Sequence, residues 1–576
     1  MAQSTTWRDR LAAYLDRHHA RRAGRARVTT AFTMPPEPRR IGLVVKGQQL
    51  IAGEFLFSGR RFSHPALSVW DIAPNDAVIA ATAHGCDWLD DLAALGTEPA
   101  RARAQGWVFD WIKRYGAGDG PGWQARITAK RLGAWISHSD FLLRGQDKRT
   151  VDAFMQSLAR QARFLGRRWQ RGGDDIATLT GVIHAGLMLD GMAAPVDGAV
   201  KALAVACQSQ IDATGGIPTR NPATLLAILG DLTTSQQMLT AAGRPVPARI
   251  SDTIARIVPV LRGLRHVDGG LARFHGGGRG GDGQLDAALA ASGVKTPATH
   301  VTPMGYARLI AARSSVIVDA AAPPMGVASV DAHASTLGLE LTSGRRPLIV
   351  NCGSGARFGD EWRRASRATP SHSTLGLDGV SSSNLGQTRE EWLSDVPGTV
   401  RAEVSADPTG RRLDLSHNGY QRSHGLTHAR MLNLSADGRA LTGEDLLTTL
   451  GPQDEAQFDR VFDRTLRAGI GFSIRFHLHP DVTCALTRDN SAVSLWLKSG
   501  EIWMFHHDGA AQMTVSPSVY LENGQLKPRS AQQVVLSGSA LAYATRVRWS
   551  LAKAEDTPLA VRDLARADPL DKAYQT

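Results

Sequence analysis

The hydrophobic periodicity of this chain changes near residue 300, and that change limits the folds it can adopt. Before it, from about 148 to 292, apolar residues recur at helical spacing, as Phe154, Leu158 and Leu165 do. The breaks between these helices are short and carry Gly, Pro or Asp, which predicts antiparallel neighbours that form a bundle or close into a ring. After it, short strands alternate with turn signals such as the hairpin at 435–439, which predicts stacked antiparallel sheets.

Two structural domains and a tail follow from this pattern. The sequence predicts an α+β multidomain chain with a helical domain over 1–300, an antiparallel β-sandwich over 301–555 and a tail over 556–576. Within the helical part, apolar alternation from Val44 to Phe57 indicates a short hairpin. A chain of 576 residues is long enough for roughly two to four domains with sizeable cores.

The chain is strongly basic, with a formal net charge of +12 and a pI near 9.9. Such a charge favours a polyanionic partner: an acidic polysaccharide, a nucleic acid or an anionic membrane surface. The basic residues are spread along the chain and match no nucleic-acid-binding motif, so we expect no nucleic acid partner. An Arg- and His-rich run from Arg17 to Arg27 is either a solvated helix face or a weak electrostatic patch.

Targeting and redox signals are sparse. No run of about 18 apolar residues is present, so no transmembrane helix is expected. The first residues lack the apolar core of a secretory signal, which predicts a cytoplasmic protein, with the periplasm as the alternative. The four cysteines, Cys86, Cys207, Cys352 and Cys484, form no CxxC pair, which predicts reduced thiols rather than a disulfide framework.

The stretch from Asp331 to Asp378 combines three short predicted strands with polar residues at their ends. His333 and His372 stand at the start of the first and third strands, and Asn351 ends the second. If the strands are neighbours, these three side chains converge at one end of a sheet, where a polar site or a metal could lie. The alternative is that the histidines are ordinary surface or capping residues.

The same stretch carries several motifs in a fixed order. His-Ala-x-x-Leu-x-x-Glu-Leu begins at His333, Arg-Pro-Leu-Ile-Val-Asn-Cys-Gly at Arg346 and His-Ser-Thr-Leu-x-Leu-Asp at His372. Together with His-Asn-Gly-Tyr at His417, they resemble the heparinase II/III family, and the resemblance runs from about 175 to about 545. It implies a polysaccharide lyase with an N-terminal incomplete (α/α) toroid followed by a C-terminal sandwich of stacked antiparallel sheets.

Members of this family cleave uronic-acid-containing glycans by β-elimination, so the resemblance implies an acidic polysaccharide or oligosaccharide as the partner. The reaction needs donors or positive charge that neutralise the uronate carboxylate. It also needs a base that removes the C5 proton and an acid that protonates the leaving 4-oxygen. Family members typically use Asn or Arg for the first task and Tyr or His for the proton transfers.

Transferred to this sequence, the resemblance implies two sets of site residues. The expected catalytic residues are Asn221, Arg220, His275, His372 and Tyr306. The expected substrate-binding residues are Arg273, His333, Asp268 and Asn351. Asn221 and Arg220 open a helix, whose electropositive N-terminus suits a carboxylate; alternatively, Asn221 is only the N-cap before Pro222. Tyr306 either protonates the leaving oxygen or packs where the two domains meet.

The sequence also departs from the family pattern. In zinc-bearing members the positions of His333 and His372 are metal ligands and the third ligand is an aspartate, whereas Asn351 stands there in this chain. A neutral amide is a poorer zinc ligand, so we expect no cofactor, with His333 and His372 as weak metal candidates. Asp331 occupies a position where many lyases have a proton-transferring histidine, and the usual tyrosine is not evident after Asp268.

Two alternatives to a lyase stay open, one because of these departures and the other because toroid folds also host glycoside hydrolases. One is a glycan-binding protein that kept the fold and lost the chemistry. The other is a glycoside hydrolase, which needs two carboxylates across a cleft, with Asp268 and Asp331 as candidates. Elsewhere, His477 and His479 lie two apart on one face of a predicted strand, which favours a surface ladder over a metal site.

Overall fold

The computed structural model of the protein describes residues 7–38, 40–57, 59–72, 75–297, 303–386, 391–522 and 524–554. The chain divides into two compact units. The helical unit takes in the described parts of Met1–Ile217, Thr224–Val260 and Gly281–Pro297. The β unit takes in those of Pro218–Ala223, Leu261–Gly280 and Ala298–Thr576. The predicted tail at 556–576 lies outside the described residues.

Helices dominate the described chain up to residue 297. They are α1 (Trp7–Gly24), α2 (Val44–Ile51), α3 (Ala77–Gly85), α4 (Trp88–Leu95), α5 (Glu98–Tyr115), α6 (Ala125–Ser137), α7 (Ser139–Leu143), α8 (Lys148–Arg168), α9 (Ile176–Met188), α10 (Val196–Gln210), α11 (Pro222–Ala241), α12 (Ala248–Gly263) and α13 (Gln284–Ala291). Carboxylates fix several helix starts: Asp76, Asp147 and Asp175 accept backbone hydrogen bonds at the N-termini of α3, α8 and α9. No helix in the described ranges combines the length and apolar character that a membrane span requires.

Aromatic residues form part of the interior of the helical unit. Trp111 and Trp135 are fully buried and meet edge to face, with ring centroids 5.3 Å apart. The guanidinium of Arg131 lies 4.0 Å from the centroid of the Trp111 ring and donates hydrogen bonds to the carbonyl oxygens of His84 and Gly122. These tryptophans are therefore core residues.

The hairpin predicted from Val44 to Phe57 is wrong in its first half. Residues Val44–Ile51 form α2, and the hairpin instead pairs β1 (Glu54–Phe57) with β2 (Arg60–Ser63). Gly47 allows α2 to lie directly against the backbone of α4, since a Cβ at this position would meet the Asp91 carbonyl oxygen at 2.4 Å. This close contact between helices overrides the local apolar alternation.

The described residues from 303 onward are built from antiparallel strands and three α-helices. The strands are β3 (Tyr306–Ala311), β4 (Ser314–Asp319), β5 (Leu339–Ser343), β6 (Arg346–Val350), β7 (Leu375–Leu377), β8 (Asn384–Leu385), β9 (Leu393–Ser394), β10 (Val400–Asp407), β11 (Gly410–Tyr420), β12 (Leu426–Ser435), β13 (Ala440–Thr448), β14 (Ile470–Leu478), β15 (Val482–Leu486), β16 (Ala492–Leu497), β17 (Ile502–His507), β18 (Gln512–Tyr520), β19 (Arg529–Ala540) and β20 (Ala544–Lys553). The helices are α14 (Asp360–Arg367), α15 (Gln421–His424) and α16 (Pro452–Arg464).

Two large sheets contain most of these strands. The first sheet has the order β10-β11-β12-β13-β20-β17-β16-β15, and the second has the order β18-β19-β14-β6-β5-β4-β3, with β7 paired to β14. Leu413 and Leu432 of the first sheet share one buried hydrophobic cluster with Leu339 and Ile474 of the second. The two sheets therefore pack face to face, and the predicted stack of antiparallel sheets is confirmed.

The ends of strands in the second sheet position the polar residues that the sequence singles out. Strand β4 ends at Asp319, β6 ends at Val350 just before Asn351, and His372 lies three residues before β7. His333 lies in the connection between β4 and β5. The three predicted strands at 331–378 are thus present as β5, β6 and β7.

Candidate functional site

A buried ion pair lies at the centre of the polar residues in the β unit. Arg220 Nη2 lies 2.5 Å from Asp319 Oδ1, and both side chains are almost completely buried. The other donors of the same guanidinium are also occupied: Nε bonds to the carbonyl oxygen of Met304, Nη1 to those of Ala321 and Ala322, and Nη2 also to that of Gly305. A guanidinium has five N–H donors, so Arg220 is saturated by the protein itself.

The backbone around this ion pair adopts an uncommon conformation. Arg220, His275, Met304 and Leu337 have φ values of 50°, 47°, 51° and 61°. Residues other than glycine rarely occupy this left-handed region, and such strained positions persist only where surrounding contacts enforce them. Strain of this kind often marks functional sites, and here it flanks the Arg220–Asp319 pair on several segments of the chain.

His275 connects the ion pair to a second histidine. Its Nδ1 accepts a hydrogen bond from the backbone N–H of His333 at 3.1 Å, so the proton of the neutral ring sits on Nε2. Nε2 lies 3.3 Å from Asp319 Oδ2, which also accepts a hydrogen bond of 2.6 Å from the Ser335 hydroxyl. Burial lowers the pKa of His275, although Asp319 opposes that shift.

Asp319 is held ionised in this setting. Burial alone would raise the pKa of its carboxyl group, but the charge of Arg220, together with His275 and the hydrogen bond from Ser335, outweighs burial and holds the pKa well below its ordinary value. Both carboxylate oxygens of Asp319 thus contact side chains of the protein itself.

His333 and His372 form a close imidazole pair. Their ring centroids are 5.2 Å apart, and both residues are buried. Within the described residues, His333 Nδ1 and both ring nitrogens of His372 have no hydrogen-bond partner. Burial, followed by the charge of His477, lowers the pKa of His372 to about 3, so this ring is neutral near pH 7. His275, His333 and His372 together are called the strand-end cluster.

Asn351 is engaged by neighbouring protein groups. Its Oδ1 accepts a hydrogen bond from the Ser373 backbone N–H at 3.0 Å, and its Nδ2 donates one to Glu340 Oε1 at 3.4 Å. The other oxygen of Glu340 contacts His266 Nε2 and the backbone N–H of Arg273, each at 3.1 Å. An aspartate at position 351 would face the buried Glu340 carboxylate, which explains physically why an amide stands here.

His333, His372 and Asn351 do not fit the three-ligand zinc site that the family resemblance implies. Two imidazoles lie together, but the third position holds an amide whose oxygen and nitrogen both bond to the protein. In the described part of the chain, no group of three or more His, Cys, Asp or Glu side chains is arranged to hold a metal ion. Tetrahedral zinc needs a fuller donor set than these three residues supply.

The remaining predicted site residues are distributed around these contacts. The Tyr306 hydroxyl donates to the Arg220 carbonyl oxygen at 2.5 Å, and burial raises its pKa well above 10. Arg273 is buried, with Nη1 3.6 Å from Glu340. Asp268 accepts from the Gly270 N–H and lies 3.4 Å from Arg279 Nε, whereas Asp331 is exposed.

Asn221 is the N-cap of α11. Its Oδ1 accepts a hydrogen bond from the Ala223 backbone N–H at 2.9 Å, and the residue is partly exposed. The capping interpretation of the Asn221-Pro222 pair therefore describes its observed contact. Its expected role as a neutraliser of a uronate carboxylate stays a prediction.

The surface ladder expected at His477 and His479 is wrong, because both side chains are buried. His477 Nδ1 lies 2.8 Å from the Ser518 hydroxyl, and Nε2 lies 2.9 Å from the Pro370 carbonyl oxygen. His477 lies on a face of β14 that packs inside the β unit, and His479 is buried just after the strand ends. Strand spacing alone could not distinguish the inner face from the outer one.

A second buried histidine network lies in the first sheet and is not evident from the sequence. His428 Nδ1 lies 3.3 Å from His417 Nε2, and His428 Nε2 lies 2.8 Å from Asp445 Oδ1. Arg430 donates to both oxygens of Asp445, and Trp549 Nε1 donates to Oδ2 at 2.9 Å. These five residues are called the sheet network. Cross-strand register places His417 opposite His428 and Arg430 opposite Asp445.

A helical incomplete toroid followed by a sandwich of antiparallel sheets is the architecture of a class of polysaccharide lyases. Among solved structures, this chain matches heparinase III with a TM-score of 0.63 and 13% identity, over 94% of this chain and 89% of that one. It matches a mutant of heparan sulfate lyase HepC from Pedobacter heparinus with a TM-score of 0.55 and 13% identity, over 98% and 92% of the chains. Identities this low show the fold alone.

Two sequence comparisons extend this likeness. The family profile described as "Heparinase II/III-like, C-terminal" matches residues 294–550. FtsZ-localized protein C of Caulobacter vibrioides (strain NA1000 / CB15N) is 30% identical over 534 residues, which cover 90% of each chain. The chain belongs to the heparinase II/III-like family. Its fold supports a polysaccharide-lyase-type or glycan-binding function.

Proposed function

We propose that this protein binds an acidic glycan without cleaving it. The observation that carries the proposal is the saturation of Arg220, whose five donors all bond to protein oxygens. A residue that neutralises a uronate must direct free donors at the carboxylate as charge develops. Arg220 cannot do so without breaking the contacts that hold Asp319 and the adjoining carbonyl groups.

The expected proton-transfer residues support the same proposal. A general base must come within hydrogen-bond reach of the proton that it removes. His275, His372 and Tyr306 are each at most 1% exposed, so they offer a polysaccharide almost no surface. The Tyr306 hydroxyl is in addition engaged with a backbone carbonyl, and its raised pKa keeps it protonated.

Charge on the helical unit supports binding of a polyanion. Helix α1 and the residues after it form a basic groove of about 550 Å³. The basic groove is lined by Tyr14, Arg17, His18, Arg21, Arg22, Arg25 and Ala26. Arg17, Arg22 and Arg25 are exposed, and clusters of this kind bind acidic polysaccharides through charge. The relative FtsZ-localized protein C is named for a location rather than for a reaction, which is consistent with a non-catalytic role.

Binding is tested by titrating the protein with heparan sulfate and with a neutral glycan of similar length. We expect saturable binding to heparan sulfate that weakens as salt rises, and no binding to the neutral chain. The double variant Arg17→Ser/Arg25→Ser should weaken binding several-fold. Arg126→Ser is the matched control, because Arg126 is also an exposed arginine of the helical unit but lies outside the basic groove.

Cleavage is followed in the same samples through the ultraviolet absorbance of the unsaturated product. We expect no rise with heparan sulfate or chondroitin sulfate under conditions where binding is saturated. Multiple turnovers of either glycan would contradict the proposal and favour a lyase. Failure of the wild-type protein to bind any acidic glycan would contradict the binding part of the proposal.

A further inference from the structure

Strand β10 is an exposed edge of the first sheet. It pairs with β11 on one side, and within the described residues no strand pairs with its other side. Seven of its eight residues are exposed, including the apolar Val404, which is 41% exposed. Proteins commonly protect such edges with charged side chains, proline, bulges or short length, and β10 carries the charged residues Arg401, Glu403 and Asp407. The eight residues of β10 contain no proline, and their register with β11 is unbroken.

The backbone groups on the free side of β10 belong to its even-numbered residues. The Thr399 carbonyl oxygen accepts a hydrogen bond from the Asn418 N–H, so the odd-numbered residues of this strand direct their backbone groups at β11. Ala402, Val404 and Ala406 therefore direct their N–H and C=O groups away from the sheet. This row of groups can bond to another antiparallel strand.

The sequence of β10 complements itself when it is reversed. Its central segment reads Arg401-Ala402-Glu403-Val404-Ser405-Ala406-Asp407. In an antiparallel pair centred on Val404, each Arg401 lies opposite an Asp407, and each Ala402 lies opposite an Ala406. The same register pairs even-numbered residues with even-numbered residues, as the free backbone groups require.

Neighbouring registers lack this complementarity. Centring the pair on Glu403 places two glutamates opposite each other, and centring it on Ser405 places Glu403 opposite Asp407; like charges in these positions destabilise a sheet. Only the Val404-centred register combines seven overlapping residues, two opposite-charge pairs and an apolar contact at the centre. The strand is thus fitted to a second copy of itself.

We propose that two copies of this chain associate through β10, forming a two-fold symmetric pair of strands centred on Val404. The first sheet then continues from one copy into the other, and the contact is isologous, because the same residues contribute on both sides. This association is independent of glycan binding, since it uses neither the basic groove nor the strand-end cluster.

The proposal is tested by cysteine crosslinking at one position. In the Val404→Cys variant the two cysteines are directly opposite, with Cα atoms about 5.5 Å apart, which is within the range of a disulfide. Ala402→Cys is the matched control, because its two copies would lie roughly 13 Å apart along the strands. Wild-type protein reports the background from native cysteines, three of which are buried.

We expect oxidation to give a covalent dimer of Val404→Cys and little or none of Ala402→Cys. Equal crosslinking of the two variants, or none at Val404→Cys, would overturn the proposal. Light scattering of unmodified protein provides the second measurement. Wild type should have the mass of two chains, whereas Val404→Pro should have the mass of one, because proline removes the central outward N–H.

A charge variant tests whether the dimer uses the Val404-centred register or another contact along the same edge. Arg401→Asp places two carboxylates opposite each other at both ends of the pair, and it should weaken the dimer roughly tenfold. Arg412→Asp on the neighbouring strand should leave the dimer unchanged, since Arg412 pairs with Asp414 within β11. Equal effects of the two variants, or a wild-type protein that remains monomeric at high concentration, would contradict the assignment.

Discussion

The sheet network and the strand-end cluster are two groups of histidines in the β unit that are similarly buried. They differ in whether the polar atoms of their side chains have hydrogen-bond partners. In the sheet network, one carboxylate, Asp445, bonds to His428, Arg430 and Trp549 at once. In the strand-end cluster, both ring nitrogens of His372 lack a partner within the described chain. Buried polar groups are usually bonded, because an unpaired one loses its hydration without compensation.

This difference separates a network in which one carboxylate bonds to three side chains from a cluster in which both nitrogens of one imidazole have no partner among the described residues. Arg430 also donates to the carbonyl oxygens of Leu337 and Ser373, so the sheet network holds the two segments that flank the strand-end cluster. His333 and His372 of this cluster stand at two positions that the family resemblance implies as metal ligands, and the third such position holds the amide of Asn351. We infer that the fold retains these imidazoles as packed, neutral groups.

The sheet network should carry the larger share of stability. Asp445→Ala leaves the Arg430 guanidinium buried without its counter-charge, and it should reduce the free energy of unfolding by about 3–5 kcal/mol. Urea denaturation measures this loss. Asp414→Ala is the control: this carboxylate pairs with Arg412 at a well-exposed position, and its removal should change stability by at most about 0.5 kcal/mol. If the two variants lost similar amounts of unfolding free energy, the sheet network would be no more important for stability than an exposed ion pair.

Acid should destabilise the fold partly through the strand-end cluster. The pKa of His372 falls from 6.5 to about 3 on burial, so between these values the unfolded chain binds a proton that the folded chain does not. The contribution of His372 to the free energy of unfolding is fully present above about pH 6.5 and is lost progressively as the pH falls. Between pH 7 and pH 5 the loss is about 2 kcal/mol for this one residue.

The variant His372→Phe isolates that contribution. Urea denaturation at pH 7 and pH 5 should show that the variant loses about 2 kcal/mol less than wild type over this interval. The buried His477 titrates in both proteins and cancels in the difference. Identical losses would show that His372 finds a hydrogen-bond partner or is accessible to protons.

At neutral pH the same substitution should have the smallest effect. Because His372 makes no hydrogen bond through its ring within the described residues, His372→Phe should change the free energy of unfolding by less than about 1 kcal/mol at pH 7. His428→Phe is matched in chemistry and burial, but it leaves Asp445 and His417 without a partner and should cost about 2–3 kcal/mol. A larger loss at His372 than at His428 would reverse the comparison.

The main parts of the fold are predictable from the sequence because they depend on local patterns. The change from helical to strand periodicity and the motifs around His333, Asn351 and His372 are visible in short windows. The structure indeed brings His333 and His372 together. The class of the fold was accessible for the same reason, since the motifs occur in the order of the family.

The partners of these residues could not be read from one sequence. Arg220 and Asp319 are 99 positions apart, and Asp445 meets Trp549 over 104 positions. Nothing local in either segment specifies the other. Glu340 is one local signal of such a partner: a charged residue between Leu339 and Leu341 in a strand that is buried on both faces must have a partner. Its partners include the amide of Asn351, and this contact explains why an amide rather than a carboxylate stands at position 351.

The central claim is that the fold is kept while the lyase chemistry is lost. The most direct measurement is the ultraviolet absorbance of heparan sulfate incubated with saturating protein, followed long enough to detect less than one cleavage per protein molecule. We predict a trace that coincides with that of the His275→Ala variant and of the glycan alone. A steady rise beyond one product per protein, abolished by His275→Ala, would contradict the account.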